Sequence, residues 1–437
     1  MKVPRIPIVS DALDRVDVVR LVDGVDKAVN RSAIEVKRRR QTLRPTVVVA
    51  YRGWYDAGTV RMIARAIERP LFAPGDGSQG WRSVLHTNLR RFTVLTIADV
   101  TVRAAVGDVS GEFTSDGDGY LHIELEVGDL PPGWHVVDLG PVEGATAPAH
   151  TTGRVFVPDP AAGLAVISDI DDTILKTGLT EKWTATTRTF LRDAGQRRPV
   201  RGMSTFMAAL VRGADGKQSA PFYYVSTGSW NLYDYLVAFM NLNHFPRGPI
   251  FLTDWGPNSE RLMRDGKAHK RASIRGLINA NPTYEWVFVG DVGQGDPETY
   301  EAMAREFPGK VKAIFLIYVG SHLPDRTTEI SERAIRLREE GVPMYYVENA
   351  HEAAVAAHEL GLVDEQVVDE LAAVEAQAAA ERAARASEES RAVAEDDGLE
   401  DSALEDDDLE EDALADEDAV EAEGEDEDTE ESGSDRH

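Results

Sequence analysis

Asp169, Asp171 and Asp172 place three carboxylates within four residues at the end of a short apolar run, and Thr173 follows them directly. Carboxylates this close cannot all stay ionised unless positive charge joins them. A hard divalent cation such as Mg2+ is the natural partner, because it prefers oxygen ligands. An EF-hand calcium loop is excluded. Thr173 and Ile174 stand where such a loop needs a carboxylate or amide and then a glycine. Three further stretches carry groups of complementary chemistry. Ser226-Thr227-Gly228-Ser229 follows the apolar residues 222–225, and a small hydroxyl with free backbone N–H groups at a helix start can hold a phosphate oxygen. Ser229 is the expected N-cap of a helix beginning near Trp230. Lys267, His269 and Lys270 precede the helical pattern of Ile274, Leu277 and Ile278, and either lysine could neutralise a phosphoryl group. Asp291 and Asp296, five residues apart in a glycine-rich loop, are the remaining candidate cation ligands.

These residues need elements to bring them together. Residues 164–167 read as a strand buried on both faces, the mark of a parallel sheet. Similar runs at 222–225, 250–252, 286–289, 313–319 and 344–347 alternate with helical patterns, which predicts a Rossmann-like α/β domain over residues 159–363. Ligands of such open sheets gather beyond the carboxyl ends of the strands, where all four polar stretches fall.

Residues 46–158 are β-rich. Segments 47–51, 92–97, 100–106 and 121–127 read as strands, with Asp116-Gly117-Asp118-Gly119 as a turn before the last. This spacing predicts an antiparallel β-sandwich. Residues 59–69, with Val60, Ile63, Ala64, Ala66 and Ile67, read as a helical insertion. Trp54 and Trp81 are assigned to packing by default. A helical segment is expected over 1–45 and an Ala/Glu-rich helix over 364–394.

The net charge of −29 is not spread evenly. Residues 395–437 hold 24 acids against one Arg, a net of −23, which leaves −6 for residues 1–394. Such a tail has too little apolar surface to fold and is expected to be disordered. Its default role is solubility, and the alternative is a basic partner or the chain's own cluster at Lys37, Arg38, Arg39 and Arg40, which by default is a solvated face. Bulk charge gives no reason to expect nucleic-acid binding. With no cysteine, thiol catalysis and disulfides are excluded, which suits a cytoplasmic protein. No apolar run is long enough to span a bilayer, so any membrane contact is expected to be peripheral.

The order strand–Asp-x-Asp-x-Thr, strand–Ser, Lys, strand–Gly-Asp-x4-Asp resembles the signature of the haloacid dehalogenase (HAD-like) superfamily. Longer strings narrow the resemblance. Ser168 to Ile174, Tyr224-Val225-Ser226, Trp230-Asn231-Leu232-Tyr233 and the run from Gly290 to Tyr300 are similar to the catalytic domain of the actin-patch-protein-type phosphatidate phosphatases, over about 155–346. The resemblance implies Mg2+-dependent hydrolysis of phosphatidate to diacylglycerol. It implies Asp169 as nucleophile, Asp171 as general acid and then base, and Lys270 (with Lys267 as the alternative) as the stabilising cation. Thr173, Ser226, Thr227 and Gly228 would hold the phosphoryl group. Asp169, the Asp171 carbonyl and Asp291 would bind Mg2+, with Asp296 in support. Two departures stand out. Gly228-Ser229 replaces the Ser-Pro common in fungal members, and the tail lacks their prolines, so their cortical-actin role is not expected here.

About 50 residues separate Thr173 from Phe222, too few for a full cap domain, so the site is expected to be open to a bulky phosphoester. Tyr223, Trp230, Tyr233, Phe245 and Trp255 lie near the loops and could meet a membrane, although core packing is the default. The alternatives are a phosphatase of another large phosphoester, such as a phosphoprotein or nucleic-acid end, and a catalytically silent scaffold.

Overall fold

The computed structural model describes residues 34–37, 39, 44–69, 95–142, 150–175, 199–253, 259–293, 295–318 and 324–404. Residues 1–377 form one compact unit and residues 378–437 a second.

The first unit holds two sheets. In the N-terminal one, β1 (Thr46–Ala50), β2 (Gly53–Asp56) and β3 (Thr59–Glu68) are followed by β4 (Thr101–Val106), β5 (Val109–Thr114), β6 (Tyr120–Glu126), β7 (Gly133–Pro141) and β8 (Thr151–Val157). The order is β1-β3-β2-β8-β7-β4-β5, with β6 on the other side of β3. All pairs are antiparallel except β2 with β8. The eight strands form one hydrogen-bonded sheet, antiparallel in the main as expected. Its inward residues, among them Val60, Met62, Val102, Leu121, Ile123 and Leu139, share a single core.

Residues 59–69 are not a helix. They form the long strand β3, which pairs with β1, β2 and β6. Val60, Met62, Ala64 and Ala66 point inward with a period of two, and Arg61, Ile63 and Arg65 point outward. The apolar set fits a helical period nearly as well, and three sheet partners decide the outcome. The Asp116–Gly119 turn is as expected. Asp116 Oδ1 accepts from the N–H groups of Asp118 and Tyr120, each at 2.9 Å, and Gly119 has φ +80°.

The second sheet is wholly parallel: β9 (Leu164–Ser168), β10 (Phe222–Ser229), β11 (Ile250–Thr253), β12 (Glu285–Asp291), β13 (Val311–Ile317) and β14 (Met344–Val347), in the order β11-β10-β9-β12-β13-β14. Between the strands lie α1 (Met203–Arg212), α2 (Tyr233–Leu242), α3 (Ser259–Ala280), α4 (Asp296–Glu306) and α5 (Pro324–Glu339), with α6 (Ala350–Glu359) after β14. All five residues of β9 are buried, as a strand covered on both faces must be. The chain leaves β9 toward β10 and β11, then returns to pair β12 on the other flank. The carboxyl ends of β9 and β12 thus meet where the winding reverses, the place where open α/β sheets bind ligands.

α7 (Glu365–Leu404) crosses from the first unit into the second, so helix extends beyond the expected limit of residue 394 into the acidic stretch. No described helix is long and apolar enough to cross a membrane. Residues 405–437, Trp81, Trp255, Arg38, Arg40 and most of the 1–45 segment lie outside the described residues. Within the basic cluster, Lys37 pairs with the buried Glu68 at 2.7 Å and Arg39 with Glu35 at 2.9 Å.

Candidate active site

Asp169 is the first residue beyond β9, and its N–H is fixed by the Val289 carbonyl of β12 at 2.8 Å. The next residues close a tight turn. Asp172 N donates to the Leu175 carbonyl at 3.0 Å and Ile174 N to the Ile170 carbonyl at 3.0 Å, with Asp172 at φ +54°. The turn folds Asp169, Asp171, Asp172 and Thr173 into the protein, and all four are at most 5% exposed. Asp172 is buried with them, and its charge bears on Asp291.

β10 delivers the hydroxyl loop by a different route from the one expected. Its pairs with β11 run from Val225↔Phe251 to Ser229↔Thr253, so β10 spends four residues where β11 spends two. Ser226 to Gly228 bulge out of the ladder at the carboxyl end of the sheet. A 3-10 turn, Trp230–Leu232, follows, and α2 begins only at Tyr233, with Leu232 rather than Ser229 at the N-cap position. The backbone dipoles of a helix start are thus not what this loop offers. It offers Ser226, whose Oγ donates to Asp171 Oδ2 at 2.9 Å and accepts from Gly228 N at 2.9 Å. The Thr253 hydroxyl closes the bulge against β11 by contacting the carbonyls of Thr227 at 2.9 Å and Gly228 at 3.1 Å.

Lys270 comes from the middle of α3. It is 5% exposed, and its Nζ lies 2.7 Å from Asp169 Oδ1 and is also bonded to Asp296 Oδ1. Lys267 is exposed and lies beside Gly295, outside this contact. Asp291 closes β12, and its Oδ2 accepts from Gly293 N at 2.6 Å. Asp296, the first residue of α4, turns back so that its Oδ2 faces the Asp291 N–H at 3.4 Å. That approach needs a glycine at 290, because a Cβ there would collide with Asp296 and the Tyr300 ring. Tyr300, which the sequence reading passed over, sits under the cluster. Its hydroxyl donates to the Val289 carbonyl at 3.1 Å, and the Lys270 ammonium lies 5.8 Å from its ring centre. Its position four residues beyond Asp296, on the same helical face, was the available signal.

Burial is the largest influence on these acids. It raises Asp169 well above the usual carboxylate range; Lys270 opposes that, and the charges of Asp296, Asp171 and Asp291 add to it. Asp291 is raised in the same way by burial and Asp296, against Lys270 and the Gly293 N–H. For Lys270 the balance runs in favour of the charged form: burial works against the ammonium, but Asp169 and Asp296 outweigh it. One ammonium thus serves a cluster in which Asp169, Asp291 and Asp296 offer carboxylate oxygens within 4.8 Å of one another. Asp169 Oδ2 and Thr173 Oγ1 are buried without a hydrogen-bond partner among the described residues. A concentrated set of hard oxygen donors, short of positive charge, is the chemistry that fits Mg2+. Asp171 stands apart from that set, with its carboxylate held by Ser226.

Of the aromatic residues near the loops, Tyr223, Trp230, Tyr233 and Phe245 are all buried in the unit's cores. Trp54 packs on Phe251, with ring centres 4.8 Å apart.

Residues 164–317 match the family described as phosphatidate phosphatase APP1, catalytic domain. Phosphatidate phosphatase APP1 of Saccharomyces cerevisiae is 30% identical over 222 residues, covering 50% of this chain and 37% of that protein. An uncharacterized protein of Schizosaccharomyces pombe is 26% identical over 155 residues, covering 35% of this chain and 25% of its own length. The chain therefore spans well under half of the length of these two relatives. Among solved structures, the chitinase ChiW of Paenibacillus is similar at a TM-score of 0.15 and 12% identity, covering 68% of this chain and 23% of that one. A likeness that low carries no argument.

Proposed function

We propose that this chain, whose residues 164–317 match the family described as phosphatidate phosphatase APP1, catalytic domain, is a Mg2+-dependent phosphoric monoester hydrolase. Its substrate would be phosphatidate, converted to diacylglycerol and phosphate. The observation that carries the mechanism is the asymmetry at Asp169, whose Oδ1 is held by Lys270 while Oδ2 has no hydrogen-bond partner among the described residues. A carboxylate gripped on one oxygen and bare on the other is oriented to attack through the bare one.

In the first step Asp169 Oδ2 attacks phosphorus, the bond from phosphorus to the glycerol oxygen breaks, and the departing oxygen takes a proton from Asp171. In the second, Asp171, now a carboxylate, takes a proton from water as the water oxygen attacks the aspartyl-phosphate. Phosphate leaves and Asp169 is restored. Asp171 fits this double duty because Ser226 fixes its carboxylate beside, and not within, the acidic cluster. Lys270 lets an anionic carboxylate meet an anionic phosphoryl group, and Ser226, Thr227, Gly228 and Thr173 line the approach. Asp169, Asp291 and Asp296, with the Asp171 carbonyl, would hold Mg2+, which when bound supplies charge neutralisation for the phosphoryl oxygens. The order of strand–Asp, strand–Ser, lysine and strand–Asp on a parallel sheet supports a HAD-like reading of the domain.

The deciding experiment measures phosphate release from phosphatidate and from a small aryl phosphate, by the full chain and by Asp169→Asn, with Mg2+ and with EDTA. Release from phosphatidate that needs both Mg2+ and Asp169 is expected. Turnover of the aryl phosphate alone would keep the chemistry and discard the lipid. No turnover of either would overturn the reading.

A further inference from the structure

Two apolar residues on the outward side of the N-terminal sheet have no part in its core. β3 sends Val60 and Met62 inward and Ile63 outward, and on β2 Trp54 faces the same outward side. Both line a cleft of about 900 Å3 between this sheet and the parallel one. Trp54 and Phe251 meet at one side of it, with ring centres 4.8 Å apart, and Leu252 and Leu277 continue the lining. Its floor is a row of minimal side chains on α3, namely Ala268, Ala272, Gly276 and Ala280, each four residues from the last and so on one helical face. Gly276 lies deep inside a helix, where glycine is disfavoured by about 1 kcal/mol against alanine. A Cβ there would meet nothing within 4 Å, so no close contact demands the glycine. What it preserves is empty space.

The cleft reaches residues next to the candidate active site, because Trp230 and Thr253 are part of its lining. Trp230 lies two residues beyond the Ser226–Gly228 bulge, and Thr253 is hydrogen-bonded to it. From Ala268 to Ala280 the helical floor runs about 18 Å at 1.5 Å per residue. The space is long and more apolar than polar, with Asp56, Arg61 and His269 also in its lining, and one end lies beside the Ser226–Gly228 bulge. That shape suits a hydrocarbon chain better than a compact polar ligand, and its volume lies within the range of small-molecule sites, roughly 300–1,000 Å3.

We infer that this cleft holds an acyl chain of the lipid whose phosphate sits at Ser226 and Asp169, so that the N-terminal sheet supplies half of the substrate's apolar site. The inference rests on the lipid-phosphatase reading and is tested so that the two can fail separately. Gly276→Phe and Ala272→Phe place a ring in the cleft, the first from a position where the change favours the helix and the second at a cost of about 0.5 kcal/mol, and circular dichroism checks the fold. The ratio of long-chain phosphatidate turnover to aryl phosphate turnover should fall about tenfold, the effect of losing burial of roughly two methylene groups. An unchanged ratio with active wild type overturns the cleft assignment and leaves the phosphatase reading intact. A second readout needs no turnover. In EDTA, phosphatidate with brominated acyl chains should quench the fluorescence of the wild-type protein, and Gly276→Phe and Trp54→Phe should each reduce the quenching. Should wild type fail to hydrolyse phosphatidate, the substrate reading falls, and quenching that Gly276→Phe abolishes would still support a chain in the cleft. Absent quenching, or quenching equal in wild type and Gly276→Phe, would overturn it.

Discussion

Tyr51, in the link between β1 and β2, lies flat on Trp230, in the 3-10 turn after β10, with ring centres 4.8 Å apart and planes 8° apart. Beside them the Arg52 N–H donates to the Tyr233 hydroxyl at 2.6 Å, and Tyr51 belongs to the core of the parallel sheet despite its place in the chain. Trp230 lies two residues beyond the bulge that carries Ser226, so the N-terminal domain braces the loop proposed to meet phosphate. Tyr51→Ala should cost about 3 kcal/mol, as removal of a buried aromatic ring does. Tyr51→Phe should be nearly neutral. Urea unfolding checks the stability, and a rise in KM in the alanine variant alone would show that the bracing reaches the loop.

Asp171→Asn leaves a group of the same shape beside Ser226 but no proton to give. Turnover of phosphatidate should fall roughly 10²–10⁴-fold, the usual worth of a positioned acid or base. An aryl phosphate with a nitrophenolate leaving group should lose less in its first step, since that oxygen departs without protonation. Equal losses in single-turnover phosphorylation of Asp169 on both substrates would show that Asp171 is not the acid.

Lys270→Met removes an ammonium that is bonded to both Asp169 and Asp296. Breaking a buried charge pair in this way costs about 3–5 kcal/mol. The melting temperature in EDTA should therefore drop. Mg2+ should raise the melting temperature of wild type, by about 2.7 kcal/mol of stability at a hundredfold excess over Kd. That gain should vanish in Asp291→Asn. A gain of equal size in Asp291→Asn would place the cation elsewhere.

Glu68 gives a prediction that is independent of catalysis. Burial works to raise its pKa, but hydrogen bonds from Arg44 and Lys37 overcome that and bring it from 4.5 down to about 2. A carboxylate held below its unfolded value stabilises the fold above the unfolded pKa and loses that contribution as pH falls through the folded one. Wild type should thus lose stability between pH 4.5 and about 2. Glu68→Gln should be less stable near neutral pH, and the difference between the two should shrink across that window. A difference that does not change with pH would mean that Glu68 acts through packing alone.

The strands that carry chemistry were legible because a strand covered on both faces must be apolar throughout, and Leu164 to Ile167 and Trp286 to Val289 both are. The acids at their ends were legible as charge clusters that need a counter-ion. The bulge in β10 was not. Ser226-Thr227-Gly228-Ser229 suits a helix cap as well as a bulge, and only the register against β11 distinguishes them. β3 misled for a similar reason. Val60, Ile63, Ala64 and Ile67 satisfy a helical period, and alanines at 64 and 66 hide the alternation that burial reveals. The outward positions of Trp54 and Ile63 acquire meaning only when the second sheet is set opposite them.

The central place of β9 has a kinetic consequence. The chain first lays down β9, then builds one flank through β10 and β11, and adds β12 on the other flank only after residue 285. Asp169 and Asp291 therefore meet across more than a hundred residues, and neither flank alone holds both. Contacts between such distant parts of a chain form late, because loop closure must precede their reward. During refolding, the appearance of cation binding should lag the early helical signal and coincide with completion of the sheet. A chain that ends before Glu285 holds Asp169 and its partner Lys270 but lacks Asp291 and Asp296, so it should bind no cation.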